Sequence, residues 1–358
     1  MIESLCVYLP IIVVFQQFET LFTGGLYERL GRHAVEMAQR LCDRFAGHGY
    51  KIDIAHFLKM DLMKRIVFLA VTALMTVVGA EARGTFAMQG QTFDVDTAYH
   101  DVIGPATTRT TLILTGPVRL NVYYTTTDLT NPNVDVRVVK SGETYMSCST
   151  PAEQREQADH PGAHYFAGVN ADFFSKQLTP LGTTVVDGRV LNYGSPNWVN
   201  WFMTTDKKPH IARLGDFGRP NTDVSADSLE MDIPGIGKVV QLASGNDIVL
   251  NADTITEPVN SVKMMGVRHP RTAVGYNADG TKLVLMVIDG RSDVSDGATG
   301  KEVGELLRYA GCTEGLNFDG GGSSAMYIDG RRYVNRPSDG RPRPCTNTVW
   351  LVDTTPNR

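Results

Sequence analysis

The stretch NFDGGGSSAMYIDG, residues 317–330, places an acid, three glycines and two serines inside an otherwise strand-like run. Asp319 would stand at the end of a strand, where a rigid scaffold can hold a functional group. Glycines accept positive φ, so consecutive N–H groups can converge on one anion. The donors would come from Gly320, Gly321, Gly322, Ser323 and Ser324. The stretch predicts an anion site; the structural alternative is a glycine-rich β-turn with an Asx cap.

The loop does not match two familiar catalytic motifs. No lysine follows the glycines, so it is not the phosphate-binding loop of nucleotide hydrolases. No G-x-S-x-G surrounds either serine, which makes a serine hydrolase a weak interpretation.

Two arginines could bind a phosphate. Arg271 begins a predicted strand and Arg291 follows the end of the next one. The planar guanidinium matches phosphate geometry, so the two predict a clamp if their strands bring them to one rim. The alternative is two ordinary surface salt bridges. His269 could assist, although a lone histidine beside a proline is more often structural.

Four carboxylates stand at strand ends or in glycine-flanked turns: Asp172, Asp289, Asp319 and Asp339. Asn170 lies two residues before Asp172, and residues two apart on a strand face the same side. Both side chains could therefore point into one pocket. Asp279 and Asp329 precede glycines and are interpreted as hairpin turns only.

The pattern predicts an α+β fold, a single β-rich mixed domain with few helices. Residues 83–105 read as a loosely structured lead-in. Residues 271–276 and 282–288 form the clearest hairpin, and a short strand then delivers Asp319 into its loop. The one convincing helix begins after Thr299, which forms a capping box with Glu302.

A secretory signal peptide is predicted inside the chain, at residues 63–82. Lys64 and Arg65 form its basic region, Ile66–Val78 is apolar, and Ala80–Ala82 is a cleavage site. We interpret residues 1–62 as the result of a start codon assigned too early; the alternative is a genuine extension, with the apolar run as a buried helix or anchor. The exported chain would comprise lead-in strands at 83–119 and a catalytic domain at 120–358.

The formal net charge of −5 argues against a nucleic-acid partner. The histidines are scattered, so neither a metal site nor another cofactor is predicted, and only calcium bound by loop carboxylates stays open. Beyond the leader, Cys148, Cys312 and Cys345 allow one disulfide and one free thiol, with the pairing open.

Six segments resemble, in the same order, the phosphodiester glycosidase family: VNADFF, HPRTAVGY, VIDGRS, the helix with Glu305, LNFDGGGSSAMYIDG and NRPSDG. The resemblance spans roughly residues 120–355. It implies a bacterial hydrolase, periplasmic or extracellular, in which water replaces the phosphate ester at the anomeric carbon of a sugar. The substrate would be a small-molecule or polymer glycan phosphodiester, with no stable membrane insertion after signal cleavage. The oligomeric state stays open.

The resemblance also implies a set of pocket residues: Asn170, Asp172, Arg271, Thr272, Asp289, Arg291, Asp319, the glycines with Ser323 and Ser324, and Asp339. Glycosidases commonly use two carboxylates around an oxocarbenium-like transition state. We expect Asp319 or Asp289 to act as base or nucleophile, and Asp172 to orient the sugar. The arginines and the glycine loop would stabilise charge.

The main alternative is a carbohydrate- or envelope-polymer-binding protein on the same fold. Such a protein needs an exposed aromatic platform, which Tyr193, Trp198 and Trp201 could form. The same side chains could line the sugar subsite of an enzyme, and the set of acids and arginines favours the enzyme. A metal-dependent phosphodiesterase ranks third, because it would need clustered ligands.

Overall fold

Short runs of β-branched and aromatic residues, bounded by Gly, Pro and Asn, favour strands over most of the chain. The structure, a computed structural model, describes residues 83–356 except 143–146, 218–220, 226–227 and 260–261. The predicted extension at 1–62 and signal peptide at 63–82 lie outside the described residues. The described residues fall in one compact unit built mainly of three antiparallel sheets, as the α+β prediction requires.

The largest sheet has nine strands in the order β1-β2-β3-β4-β17-β16-β18-β14-β15. The strands, numbered in chain order, are β1 (Arg83–Met88), β2 (Gln91–Gly104), β3 (Thr107–Thr115), β4 (Leu120–Asp128), β14 (Asp247–Asn251), β15 (Thr254–Ile255), β16 (Arg271–Tyr276), β17 (Lys282–Ile288) and β18 (Glu314–Asn317). The predicted hairpin of β16 and β17 is confirmed, with Arg271 opposite Ile288.

A second sheet has seven strands: β7 (Thr184–Val186), β8 (Arg189–Asn192), β9 (Val199–Thr204), β10 (Pro209–Arg213), β11 (Asn221–Ser225), β12 (Ser228–Ile233) and β13 (Gly237–Gly245). The third has five: β5 (Val134–Lys140), β6 (His164–Asn170), β19 (Met326–Ile328), β20 (Arg332–Tyr333) and β21 (Asn347–Asp353). The largest apolar core lies between the sheets and joins Val136 and Val349 to Trp201 and Leu285.

The helices of the described chain are α1 (Pro151–Ala158), α2 (Val262–Met265) and α3 (Gly300–Tyr309). The predicted capping box of Thr299 and Glu302 opens α3, whose buried Val303, Leu306 and Leu307 pack on the nine-stranded sheet. Glu305 accepts hydrogen bonds from Gln89, between β1 and β2. None of the helices in this part of the chain has the length and apolar character that a membrane crossing needs.

Residues 83–105 are not the loosely structured lead-in that the sequence predicts. They form β1 and the 14-residue β2, which pair with each other and with β3. Phe93 is fully buried and belongs to the same core as α3. The alternation in β2 is irregular because its register shifts twice against β3, which hid the strand from a period-two reading.

Because Phe93 lies in this core, Phe93→Ala should lower the free energy of unfolding by about 3–5 kcal/mol. The exposed neighbour Thr92 offers a matched control, and Thr92→Ala should change stability by less than about 0.5 kcal/mol. Guanidinium unfolding of the two variants measures the difference. Equal, small effects would mean that β1 and β2 are dispensable to the core.

Candidate active site

Asp172 lies where the sheets meet and is only 1% exposed. It follows β6 of the five-stranded sheet, and its carboxylate reaches the seven-stranded sheet. Oδ1 accepts the Ser244 N–H of β13 (2.6 Å), and Oδ2 accepts the Thr184 hydroxyl of β7 (2.9 Å). Its own N–H donates to Oδ1 of Asn347, at the start of β21 (2.9 Å). The carboxylate therefore fastens two sheets together.

Asp319 is brought beside Asp172 by main-chain and side-chain hydrogen bonds. It comes two residues after β18 of the nine-stranded sheet, and its N–H donates to the Ala171 carbonyl (2.8 Å). Asn170 Nδ2 donates to the Asp319 carbonyl (2.7 Å), while its Oδ1 accepts the hydroxyl of Thr272 (2.7 Å). The ends of β6 and β18 and the start of β16 are thus joined.

Both carboxyl groups have raised pKa values. Burial raises the pKa of Asp172 to about 7, against the opposing hydrogen bonds from Ser244, Asn347 and Thr184, and the charge of Asp319 adds to the increase. Burial raises the pKa of Asp319 to about 6, opposed by hydrogen bonds from the Ser323 hydroxyl and the Gly320 N–H and by the charge of Arg343. Unlike Asp172, Asp319 is partly exposed, so only Asp319 of this pair can meet a substrate.

The glycine loop is not the open anion-binding loop that the sequence predicts. Three of its N–H groups already have protein acceptors: that of Gly321 donates to Pro270 O, and those of Ser323 and Ser324 donate to Gly320 O and Gly321 O. Residues 321–323 form one turn of 3₁₀ helix. The hydroxyl of Ser324 is buried and has no hydrogen-bond partner within the described chain.

The glycines are explained by what the loop approaches. Gly321 has φ +62°, which favours glycine. A Cβ on Gly321 would lie 3.2 Å from the nitrogens of the Arg291 guanidinium. A Cβ on Gly322 would collide with the ion pair of Arg343 and Asp339, and one on Gly320 would lie 2.7 Å from Pro270 O. Side chains are absent here so that two guanidinium groups can rest on the loop.

Arg271 does not form the predicted phosphate clamp in this structure. It is 2% exposed, and its guanidinium donates to the carbonyls of Ala298, Met264 and Val267, at 2.9, 2.8 and 2.7 Å. Burial and the charge of Arg291 lower its pKa to about 10. Arg271 therefore holds the chain around α2 against the start of β16.

The cations that do face the loop are Arg291 and Arg343. Arg291 is exposed and its Nη2 lies 3.1 Å from His269 Nδ1, an imidazole whose pKa is lowered by burial and by the two neighbouring arginines. Arg343 pairs with Asp339 (2.6 Å), and its Nη1 lies 3.5 Å from Ser323 Oγ. The predicted residue Asp339 thus orients an arginine that sequence reasoning missed.

Asp289 is buried, and both of its carboxylate oxygens accept hydrogen bonds. Oδ2 accepts the Tyr123 hydroxyl (3.0 Å), while Oδ1 accepts Asn335 Nδ2 (3.2 Å) and the Arg336 N–H (2.9 Å). Burial raises its pKa. The carboxylate anchors the start of the segment that carries Asp339 and Arg343.

The predicted aromatic platform is only partly present. Trp201 is fully buried in the core between the sheets and takes no part in a surface. Tyr193 is 47% exposed, and Trp198 is partly exposed with its ring 5.4 Å from that of Phe173, the residue after Asp172. All six residues of β9 are buried, because cores cover both of its faces, and the sequence alone did not show this.

The described cysteines, Cys148, Cys312 and Cys345, all carry free thiols. Within the described part of the chain, no group of three or more His, Cys, Asp or Glu side chains is arranged to hold a metal ion.

Sequence reasoning missed four groups that shape the site: Thr184, Ser244, Arg343 and Asn347. Asn347 offered a weak signal, since it begins a predicted strand as Asn170 ends one. Arg343 lies four residues after Asp339, in a loop with no periodic pattern. The other two reach Asp172 from another sheet, which no local pattern reveals.

A sequence model described as phosphodiester glycosidase matches residues 163–352, more than half of the chain and all of the candidate site. The chain belongs to the phosphodiester glycosidase family. The match begins just before β6 and ends in β21, so it includes the residues of β7, β13 and β21 that bind Asp172.

Two relatives match the chain over shorter stretches. YomE, derived from the SPbeta prophage of Bacillus subtilis strain 168, is 35% identical over 131 residues, 37% of this chain and 19% of its own length. The N-acetylglucosamine-1-phosphodiester alpha-N-acetylglucosaminidase of Mus musculus is 30% identical over 118 residues, 31% of this chain and 22% of its own. The chain thus spans about a fifth of each relative.

Solved structures share the fold. The zebrafish N-acetylglucosamine-1-phosphodiester alpha-N-acetylglucosaminidase catalytic domain, auto-inhibited by its pro-peptide, superposes with TM-score 0.54 at 18% identity, covering 72% of this chain and 87% of that one. An exported-protein candidate of Burkholderia pseudomallei superposes with TM-score 0.56 at 12% identity, covering 76% of this chain and 100% of its own.

The loop contacts predict different costs for two glycine substitutions. Gly320→Ala meets the backbone carbonyl of Pro270, which cannot yield, so it should lower the free energy of unfolding by about 1–3 kcal/mol. Gly322→Ala meets only the ends of two side chains, which can swing away, so it should cost less than about 1 kcal/mol. Urea unfolding compares the two. A negligible cost at Gly320 would contradict the close approach of the loop to Pro270.

Proposed function

We propose that the protein is a hydrolase that cleaves the glycosidic bond of a sugar-1-phosphodiester, releasing the sugar and a phosphate monoester. Water adds to the anomeric carbon, the bond from that carbon to the phosphate oxygen breaks, and the phosphate leaves with the bonding electrons. The proposal rests chiefly on Asp319, a partly exposed carboxyl group of raised pKa with Arg343 and Arg291 on the loop beside it. Family membership and the mouse relative's name support the reaction class.

Asp319 is the carboxylate that acts on the substrate as base or nucleophile. Asp172 and Asp289 are each 1% exposed, and both have their oxygens occupied by hydrogen-bond donors. They act through other residues: Asp172 fixes the chain at Ala171, whose carbonyl accepts the Asp319 N–H, and Asp289 positions the arginine-bearing segment.

The leaving phosphate is stabilised by Arg291 and Arg343. A phosphate monoester is a good leaving group, so protonation by a general acid matters less here than in an ordinary glycoside. Guanidinium groups fixed near the developing negative charge lower the barrier without reorganising. Asp339 holds Arg343 over Gly322, within reach of Ser323.

The sugar would lie on the aromatic side of the site. Phe173 follows Asp172 directly, Trp198 packs against Phe173, and Tyr193 is exposed nearby in sequence. Asn192 ties their loops together by donating to the carbonyls of Pro180 and Gly182. An amino sugar such as N-acetylglucosamine is the first candidate, from the mouse relative's name.

The proposed setting is outside the cytoplasm, in the periplasm or the medium of a bacterium. It rests on the signal-peptide pattern at 63–82 and on the likeness to the Burkholderia candidate for export. Neither a metal nor another cofactor is assigned to the reaction.

The deciding experiment incubates the full chain with the methyl phosphodiester of N-acetylglucosamine-1-phosphate and, separately, with UDP-N-acetylglucosamine. Asp319→Asn should lower kcat by about 1,000-fold, because the amide neither attacks nor accepts a proton. Asp279→Asn, in an exposed hairpin turn, is the control and should keep normal kcat. Release of the free sugar and of the phosphate monoester is followed by chromatography.

A folded Asp319→Asn variant with near-normal kcat would contradict the role of Asp319 as base or nucleophile. If the unaltered protein released no sugar from either compound, the carbohydrate-binding alternative would replace the enzyme. A glycan array would then identify the bound sugar.

The pH dependence gives a separate test. Asp319 acts as the carboxylate, and its pKa is about 6, so kcat/KM should rise as pH increases through about 6. Ser323→Ala removes a hydrogen bond that favours the charged form, so the acid limb should move to higher pH. Ser324→Ala removes a hydroxyl without a partner in the described chain and should leave the limb in place. A limb near pH 4, or a downward shift in Ser323→Ala, would contradict the role of Asp319.

A further inference from the structure

Four arginines form a rim that leads away from Asp319: Arg291, Arg343, Arg336 and Arg341, here called the arginine rim. Only the first two contact the glycine loop. In the outer half of the rim, Arg336 and Arg341 are accompanied by one exposed carboxylate, that of Asp293, which gives a net charge of +1. The whole chain has a formal net charge of −5, so the outer half of the rim is positive in an otherwise acidic protein.

The outer half of the rim consists of Arg336 and Arg341, whose positive charges are only weakly neutralised by carboxylates. Arg336 is fixed by its backbone N–H, which donates to Asp289 (2.9 Å), while its side chain projects outward. Its ion pair with Asp293 spans 3.1 Å between side chains that are 64% and 81% exposed. Ion pairs exposed to this extent are weak, so an arriving phosphate can replace the carboxylate.

Arg341 extends the rim beyond a tight turn. Gly340, with φ +74°, closes that turn through its N–H bond to the Pro337 carbonyl (3.0 Å). Arg341 is exposed and has no ion pair among the described residues. Arg343 follows two residues later. The segment 336–343 is therefore bound to Asp289 at its start and approaches Ser323 at its end, and it carries Arg336, Arg341 and Arg343.

A single phosphodiester does not need this rim, since Arg291 and Arg343 suffice for one phosphate. We propose that the substrate is a polymer whose backbone repeats sugar phosphodiesters, with phosphates next to the scissile one bound by Arg336 and Arg341. This inference rests on the proposed function. A nucleic acid fits less well, because proteins that bind it usually show a large basic excess and this chain has a net charge of −5.

The test compares two substrates and two sets of variants of the full chain. The substrates are the methyl phosphodiester of N-acetylglucosamine-1-phosphate and an oligomer of repeating N-acetylglucosamine-1-phosphate units. The double variant Arg336→Gln/Arg341→Gln removes the outer charges. The control is Arg332→Gln, an exposed arginine that pairs with Ile328 in the β19–β20 hairpin and lies level with Ala167, about 10 Å along β6 from Asn170.

The unaltered protein should have a KM about tenfold lower for the oligomer than for the monomer, because charge-assisted bonds to further phosphates add affinity. The double variant should lose that advantage and leave the monomer unchanged. Added salt should weaken the oligomer preference, since these charges are exposed. Arg332→Gln should behave like the unaltered protein.

Equal KM values for the two substrates, unaffected by the double variant, would overturn the polymer and leave the glycosidase standing. If neither substrate were hydrolysed, the proposed function would fail. Calorimetry of oligomer binding would then test separately whether the arginine rim binds the phosphates of the oligomer. Oligomer binding that the double variant did not weaken would overturn the inference. So would a double variant that lost binding to phosphatidylglycerol vesicles or to an oligonucleotide but not to the oligomer.

Discussion

The buried carboxylate of Asp172 is the constraint on which the site depends. A buried charge without partners costs several kcal/mol, so the chain must supply donors wherever Asp172 lies. Ser244 and Thr184 supply them from the seven-stranded sheet, and Asn347 binds the backbone of Asp172 from the five-stranded sheet. Satisfying one carboxylate therefore fixes how two sheets meet, and the nine-stranded sheet delivers Asp319 to that junction.

Most of the polar residues that resemble family motifs serve geometry rather than contact with a substrate. The Arg271 guanidinium donates to backbone carbonyls, and the Asp289 carboxylate accepts hydrogen bonds from Tyr123, Asn335 and Arg336. Saturated groups of this kind hold loops rigidly because breaking any one bond leaves a buried polar atom unpaired. The rigid frame keeps Asp319 and the guanidinium groups beside it in place, which suits charge stabilisation by preorganised groups.

The elements set by local patterns could be predicted from the sequence: the β16–β17 hairpin, the capped helix α3 and the strand that ends at Asp319. Strand periodicity placed Asn170 and Asp172 on the same side of their strand, but the bond from Asn170 to the Asp319 carbonyl could not be read from it. What could not be predicted depends on distant segments. The inward turn of Arg271 depends on carbonyls of residues 264–267, the burial of Trp201 on the stacking of sheets, and the internal bonding of the glycine loop on Pro270. Arg343 lies in an irregular loop and left no pattern to read.

The most direct measurement is to hydrolyse the methyl phosphodiester of N-acetylglucosamine-1-phosphate in water enriched in the heavy oxygen isotope. Mass spectrometry of the methyl phosphate then shows which bond was cut. Attack at the anomeric carbon leaves the methyl phosphate unlabelled, because the oxygen from water enters the sugar; this is the result that a glycosidase built around Asp319 predicts. One heavy oxygen in the methyl phosphate would mean attack at phosphorus, and the protein would be a phosphodiesterase instead.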